Sequence, residues 1–199
     1  MQSPQPSRII PIKSGAKVFV LSCIDPRFTY YLNWFLTYQK DVADYYDQFT
    51  LAGASLGVNQ ATFEEPNYEN WHTVMLDNLR LGILLHGITD FWVFDHLDCG
   101  AYNAFLDNDD SIEQHFTQIR NLKTFLKDRP DEDPVKSLKF KGFLIDLNGQ
   151  FTELVDQSDV GGIPVDLNFS TTNYNNVWKY SAIVLGLIVM YNFLNIKKL

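Results

Sequence analysis

Two short stretches of the sequence combine side chains that bind metals. Cys23 follows the apolar run at residues 18–22, while His96 and Cys99 lie three residues apart after the apolar run at residues 91–94. Thiolate sulfur and imidazole nitrogen are ligands that zinc favours in proteins, and a catalytic zinc keeps a fourth position for water or substrate. We therefore predict that Cys23, His96 and Cys99 bind one Zn²⁺ ion.

The two cysteines also allow a disulfide, which would be the usual state in a secreted protein. Cys23 and Cys99 are the two cysteines of the chain, and residues 1–6 are polar, with two prolines and no apolar signal-peptide core. We therefore expect reduced thiolates in an intracellular or organellar, reducing compartment. The net charge of −8 argues against a nucleic-acid partner bound through its phosphates.

A carboxylate and a guanidinium accompany the first cysteine. In an extended segment, residues 23, 25 and 27 face the same side, so Asp25 and Arg27 would share a pocket with Cys23. Arg27 can hold Asp25 in a bidentate pair and keep it ionised. One Asp25 oxygen would then accept a proton from zinc-bound water, whose pKa the metal lowers towards about 7. Alternatively, Asp25 takes the fourth zinc position, or the pair is a purely structural ion pair.

The apolar patterns alternate between strand and helix. Apolar runs near residues 17–22, 45–50, 91–94, 140–147 and 151–155 predict strands. A 3.6-residue spacing predicts helices over residues 29–39, 68–86 and 110 to beyond 120. This alternation predicts an α/β fold with a central, mostly parallel sheet flanked by helices. In such a fold, functional residues gather at the ends of strands.

Several local signals refine these elements. Gly87 is predicted to end a helix, and Asp110 to begin one with Glu113 completing a capping box. Asn148-Gly149 predicts a tight primed turn between two strands. Asp98 could accept hydrogen bonds in its turn or help to move protons, but we interpret it as a solvated turn residue. Three histidines in helical patterns are interpreted as packed or surface residues rather than ligands: His72, His86 and His115.

Composition divides the chain into four predicted regions. We expect a flexible arm at residues 1–14, a zinc domain at 15–157, a polar linker at 158–178 and a hydrophobic helix at 179–199. Residues 180–196 carry no charge, and about 17 residues is the minimum for crossing a bilayer. Lysines flank this segment and favour a membrane anchor. Asn192 favours the alternative, a helix packed in a protein core or a dimer interface.

The motif Cys23-x-Asp25-x-Arg27 with His96-x-x-Cys99-Gly100 resembles the β-class carbonic anhydrases. Residues 47–53 are similar to that family's strand and Ala-Gly turn, and the resemblance covers residues 15–157. It implies a β-carbonic-anhydrase-like fold, a Zn²⁺ cofactor, and reversible hydration of carbon dioxide to bicarbonate and a proton. It also implies a homodimer or higher oligomer. The implied roles are zinc ligation by Cys23, His96 and Cys99, catalysis by Asp25 and Arg27, and orientation of substrate by the Gly100 backbone N–H.

Two positions depart from the family pattern. Asp95 replaces a glycine that commonly precedes the histidine, and we expect it to add charge beside the metal. Thr50-Leu51 stands where many members carry Arg-Asn, and we expect this difference to alter the dimer contact or the route into the pocket. Two alternative functions stay open: hydrolysis of carbonyl sulfide or carbon disulfide, and a non-catalytic subunit of a membrane assembly.

Overall fold

The computed structural model describes residues 16–59 and 70–154. The predicted arm (1–14), linker (158–178) and hydrophobic helix (179–199) lie outside these residues. Within the described part, the strands are β1 (Val18–Ser22), β2 (Tyr46–Thr50), β3 (Asp90–His96), β4 (Lys139–Ile145) and β5 (Phe151–Glu153). The helices are α1 (Thr29–Trp34, continued by a π-helical turn at Phe35–Gln39), α2 (Ser55–Asn59), α3 (Trp71–His86), α4 (Gly100–Phe105) and α5 (Ile112–Lys127), with 3₁₀ turns at Pro26–Phe28 and Pro134–Ser137.

The strands form one mixed sheet in the order β2-β1-β3-β4-β5. The first four are parallel, and β5 pairs antiparallel with β4. This confirms the predicted α/β class with a mostly parallel sheet flanked by helices. Because β1 and β3 are adjacent and parallel, with Ser22 paired to Phe94, the segments that leave their carboxyl ends begin side by side.

Both faces of the central strands are covered, which explains their continuous apolar runs. On one face, Val20, Phe94 and Phe143 pack with residues of the α1 segment, including Leu32 and Phe35. The opposite face packs against α2, α3 and α5 through the following buried residues: Phe19, Leu21, Phe91, Val93, Ala54, Val58, Met75, Leu79, Ile119 and Leu122. Every residue of β1 is buried.

The helix ends agree with one prediction and contradict another. Helix α3 ends at His86, and Gly87 adopts φ 73° with its N–H bonded to the Ile83 carbonyl, as predicted for a C-cap. Helix α5, however, begins after Ser111, whose hydroxyl accepts a hydrogen bond from the Gln114 N–H at 3.3 Å. The prediction that Asp110 caps this helix is therefore wrong. Its carboxylate binds the loop after β3 instead.

The turn between β4 and β5 also differs from the prediction. The type I′ turn that Asn-Gly favours requires positive φ at both central residues, but Gly149 alone adopts the left-handed conformation between the two strands, with φ 76°. Asp146 Oδ1 accepts hydrogen bonds from the backbone N–H groups of Asn148 and Gln150, each at 2.8 Å. This side chain stabilises a longer loop, so a tight two-residue turn is not needed.

No helix in the described part of the chain is long and apolar enough to span a bilayer. The segment at residues 180–196, for which we predicted a membrane anchor, was not among those residues.

Candidate metal centre

The structure brings the three predicted ligands together at the carboxyl edge of the sheet. Cys23 directly follows β1, His96 is the last residue of β3, and Cys99 precedes the first residue of α4. Their ligand atoms lie within 4.8 Å of one another, and the two sulfur atoms are 4.0 Å apart. Two sulfurs about 2.3 Å from a tetrahedral zinc would be about 3.8 Å apart. The spacing therefore fits one zinc ion.

The His96 ring is oriented for metal binding. Its Nδ1 lies 2.9 Å from the Leu97 carbonyl and donates a hydrogen bond to it, so the neutral ring carries its lone pair on Nε2. His96 is 2% exposed, and Nε2 has no hydrogen-bond partner among the described residues. A buried, unpartnered ring nitrogen is rare in native proteins because it costs free energy. A metal ion would satisfy it, and a backbone carbonyl on the other nitrogen is usual for histidine ligands.

The two thiols share one electrostatic environment. The Cys99 thiol lowers the pKa of Cys23 to about 4, although burial acts in the opposite direction. Cys23 and burial together raise the pKa of Cys99. The Gly53 N–H also points at the Cys23 sulfur, at 3.4 Å. These contacts favour the thiolate form of Cys23, and a cation bound at this position would favour it further.

Asp25 and Arg27 form the expected pair beside the ligands. Asp25 begins the 3₁₀ turn at Pro26–Phe28 and accepts the Arg27 N–H at 2.9 Å. The Arg27 guanidinium donates to both carboxylate oxygens, with Nη2 2.7 Å from Oδ2 and Nε 3.1 Å from Oδ1. These bonds lower the pKa of Asp25. Both oxygens are thus bound by Arg27, where we had expected one to be free. Asp25 Oδ2 lies 3.9 Å from His96 Nε2.

Asp98 connects this pair to the second ligand loop. Arg27 donates from Nη1 to Asp98 Oδ2 at 2.7 Å and from Nη2 to the Asp98 carbonyl at 2.8 Å. Asp98 is an exposed turn residue, as interpreted, and it also accepts hydrogen bonds from Arg27. The sequence places Asp98 in the turn between His96 and Cys99 but does not show that Arg27 lies beside it. Arg27 consequently joins the loop of Cys23 to the loop of His96 and Cys99.

A pocket of about 120 Å³ opens beside the ligands. Cys23, His96 and Asp25 line it, and Phe94, Leu32 and Thr50 form part of its walls. Gly100 begins α4 directly after Cys99 but is not among the residues that line the pocket. Its role in orienting substrate stays a prediction.

Asp95 lies on the opposite side of β3 from His96. Its Oδ1 accepts the Ser55 N–H at 3.0 Å, and its Oδ2 accepts the Ser55 hydroxyl and the Tyr102 hydroxyl, the latter at 2.7 Å. The residue is 1% exposed. Burial, and then the Asp95 charge, raise the pKa of Tyr102. The expectation that Asp95 adds charge beside the metal is therefore corrected, because its carboxylate faces α2 and α4.

His115 extends the Asp95 contacts to the ligand loop. This fully buried residue of α5 has Nδ1 3.5 Å from Asp95 Oδ2 and Nε2 3.0 Å from Asp110 Oδ1. Asp110 accepts the backbone N–H of Cys99 at 3.1 Å and that of Asp98. His115 is therefore packed rather than a ligand, as interpreted from the sequence, but its polar contacts were missed. His86 lies apart and bonds Asp47 at 2.8 Å.

Comparisons with known proteins give limited similarity. No family model matches the chain. An uncharacterized protein of Rickettsia bellii (strain RML369-C) is 24% identical over 149 residues, covering 71% of this chain and 84% of that protein. A tetrameric β-carbonic anhydrase of the filamentous ascomycete Sordaria macrospora superposes with a TM-score of 0.41 and 13% identity, covering 72% of this chain and 83% of that one. The β-carbonic anhydrase CafA of Aspergillus fumigatus superposes with a TM-score of 0.39 and 14% identity, covering 73% of this chain and 79% of that one. Similarity of this degree does not by itself assign the chain to a family.

Proposed function

We propose that this protein is a zinc enzyme that catalyses the reversible hydration of carbon dioxide to bicarbonate and a proton. The observation that carries the proposal is the cluster of Cys23, His96 and Cys99, with the buried His96 Nε2 unpartnered, beside a carboxylate fixed by Arg27. The motif resemblance to the β-class carbonic anhydrases supports the same reaction.

The donor set defines what the metal would supply. Two thiolates and a neutral imidazole balance the charge of Zn²⁺, and a zinc ion held there would act as a Lewis acid that lowers the pKa of a coordinated water. The His96 tautomer is fixed by the Leu97 carbonyl, so the ring presents Nε2 without rearrangement.

Asp25 and Arg27 would manage the proton. Asp25 Oδ2 is the carboxylate oxygen 3.9 Å from His96 Nε2, and we assign it as the atom that accepts a hydrogen bond and a proton from the attacking water. Arg27 keeps this carboxylate ionised and fixes its direction. Asp98 restrains the guanidinium from the other side.

The pocket walls suit a small, linear substrate. Phe94 and Leu32 give an apolar surface for carbon dioxide, and Ser22, Gln48 and Thr50 supply polar groups for bicarbonate. Carbonyl sulfide and carbon disulfide have the same linear shape, so the pocket volume does not separate these substrates. We extend the proposal to a homodimer or higher oligomer, as the resemblance implies, and to a reducing compartment that keeps both thiols free to bind the metal.

The test is stopped-flow carbon dioxide hydration by the zinc-loaded full chain, with zinc content measured on the same samples. We expect His96→Ala and Cys23→Ser to lose zinc and to hydrate carbon dioxide at least about 100-fold more slowly. His86→Ala, a surface histidine, should leave both quantities unchanged.

A folded, zinc-replete parent protein with no carbon dioxide turnover would overturn the proposal. Sulfide release from carbonyl sulfide or carbon disulfide by that preparation would then identify the alternative hydrolase. Inactivity towards all three would favour a non-catalytic subunit.

A further inference from the structure

We infer that five polar residues on the far side of β3 set the geometry of the metal centre. Ser55, Asp95, Tyr102, His115 and Asp110 form this group, which we call the anchor cluster. They are positioning residues, since none is a candidate ligand and their contacts reach the site through the backbone of the Cys99 loop. The inference rests on the proposed metal centre and deepens it.

Asp95 is the fixed point of the anchor cluster. A carboxylate in the core is strongly unfavourable unless it is fully hydrogen-bonded. Here three donors satisfy it: the Ser55 N–H, the Ser55 hydroxyl and the Tyr102 hydroxyl. His96 is the next residue, so the two side chains move together. A displacement of the end of β3 would therefore break the Asp95 hydrogen bonds and also shift the His96 ligand. Asp95 thereby couples the position of His96 to helices α2 and α4.

His115 carries the connection from Asp95 to Asp110. Its two ring nitrogens face the two carboxylates at 3.5 and 3.0 Å, and its ring packs against Tyr102 with centroids 3.8 Å apart. With the side chain fully buried, water does not compete for these contacts. Helix α5 is therefore linked by polar contacts to both β3 and the loop that follows it.

Asp110 restrains the ligand loop itself. It accepts the backbone N–H groups of Cys99, at 3.1 Å, and of Asp98. Asp98 adopts φ 57°, a left-handed conformation that is uncommon for residues other than glycine but is tolerated by Asp. The same loop presents Cys99 Sγ and the Asp98 oxygens that bind Arg27. Asp110 thus restrains a metal ligand and the partner of the catalytic pair at once.

A second polar link between the same helices provides a matched control. The Asn59 amide of α2 donates to the Gln118 carbonyl and to Gln118 Oε1 of α5, each at 2.8 Å. These bonds join α2 to α5, as the anchor cluster does, but they do not involve the Cys99 loop. Loss of this link should lower stability without changing the metal site.

The experiment measures metal binding by the full-length chain separately from its stability. Asp95→Asn and Asp110→Asn keep the side-chain shape but remove acceptor capacity. We expect each to weaken Zn²⁺ binding about 10–100-fold, the usual effect of losing a residue that orients a ligand. Competition with a chromophoric chelator gives the affinity. In both variants, the absorption spectrum of the Co²⁺-substituted protein should change in its d–d and thiolate bands. The control Asn59→Ala should change the urea midpoint alone.

Zinc affinities within twofold of the parent and unchanged Co²⁺ spectra, in variants folded by circular dichroism, would overturn the inference. If Asp95→Asn fails to fold, Asp110→Asn decides the outcome, because that side chain is 17% exposed and easier to replace. A parent that binds neither metal would overturn this inference and the proposed function. The expected affinity pattern in a protein without hydration activity would overturn the proposed function alone.

Discussion

The Asp25 carboxylate owes its low pKa mainly to the Arg27 guanidinium, which gives a prediction about pH. A lowered pKa keeps Asp25 charged as the pH falls, and the stabilising effect of the pair is present above the unfolded-state pKa of about 3.9. It is lost as the pH falls through the lower, folded-state value. In Arg27→Gln we expect the pKa of Asp25 to rise, so that its carboxyl titrates at higher pH than in the parent protein.

The measurement is a carbon-13 NMR titration of the Asp25 carboxyl carbon in the variant and in the parent protein. Arg120→Gln is the matched control, because Arg120 pairs with Glu113 at 3.7 Å on the surface of α5. An Asp25 titration midpoint that is the same in Arg27→Gln and the parent would contradict the prediction.

Site residues could be predicted where the neighbouring sequence marked their position. Cys23 and His96 each end an apolar run, so their types and positions pointed to a shared site at the strand ends. The contacts of Asp98, Asp110 and His115 could not be read in this way. Asp98 meets Arg27 across 71 residues, and His115 meets Asp95 across 20, so no periodicity in the sequence relates the partners.

At the scale of elements, two glycines should respond differently to alanine. A Cβ at Gly57 in α2 would lie 2.4 Å from the Ala52 carbonyl oxygen, a backbone atom that cannot move aside cheaply. We expect Gly57→Ala to lower the free energy of unfolding by about 1–3 kcal/mol. A Cβ at Gly100 meets no atom within 4 Å. Gly100→Ala should therefore change stability by less than about 0.5 kcal/mol.

Urea unfolding of both variants beside the parent checks this pair. Gly100 supplies no candidate metal ligand, so the zinc content of Gly100→Ala should be unchanged. Equal losses of stability in the two variants would show that packing around α2 does not distinguish these positions.

The strands were predictable because each is an apolar run, but two element boundaries were not. Asp110 and Ser111 are both good N-cap residues, and the sequence does not show which is free to cap. Asp110 is occupied by the N–H groups of Asp98 and Cys99, so Ser111 caps α5. Asn148-Gly149 fits more than one turn, and the Asp146 side chain selects the longer one.

For the whole molecule, we expect metal removal to lower thermal stability. The candidate site joins residues 76 positions apart, and the unfolded chain does not hold them together. A ligand at 100 times its dissociation constant stabilises the folded state by about 2.7 kcal/mol. For a chain of this size that corresponds to a rise on the order of 5–10 °C in the melting temperature.

Calorimetry with and without a zinc chelator measures this effect. His96→Ala serves as the control and should show no chelator-dependent shift, because its site lacks the imidazole ligand. A parent protein whose melting temperature is indifferent to the chelator would contradict the expected coupling between metal and fold.

The fold class followed from the alternation of strands and helices, whereas the strand order did not. Nothing in residues 45–50 indicates that β2 lies at an edge of the sheet, and the antiparallel β5 was recognisable because a short hairpin connects it to β4. The order of the strands depends on how the helices pack against the sheet, and no short stretch of the sequence shows that packing.

The opposite orientation of Asp95 and His96 has a consequence for how the chain folds. Side chains alternate along a strand, so a one-residue slip of β3 against β1 would exchange the two. The imidazole would then point towards Ser55 and Tyr102, away from Cys23 and Cys99. Such a misfolded sheet could not assemble the three metal ligands. Zinc binding should therefore stabilise the native register of β3 against β1 and not a register shifted by one residue.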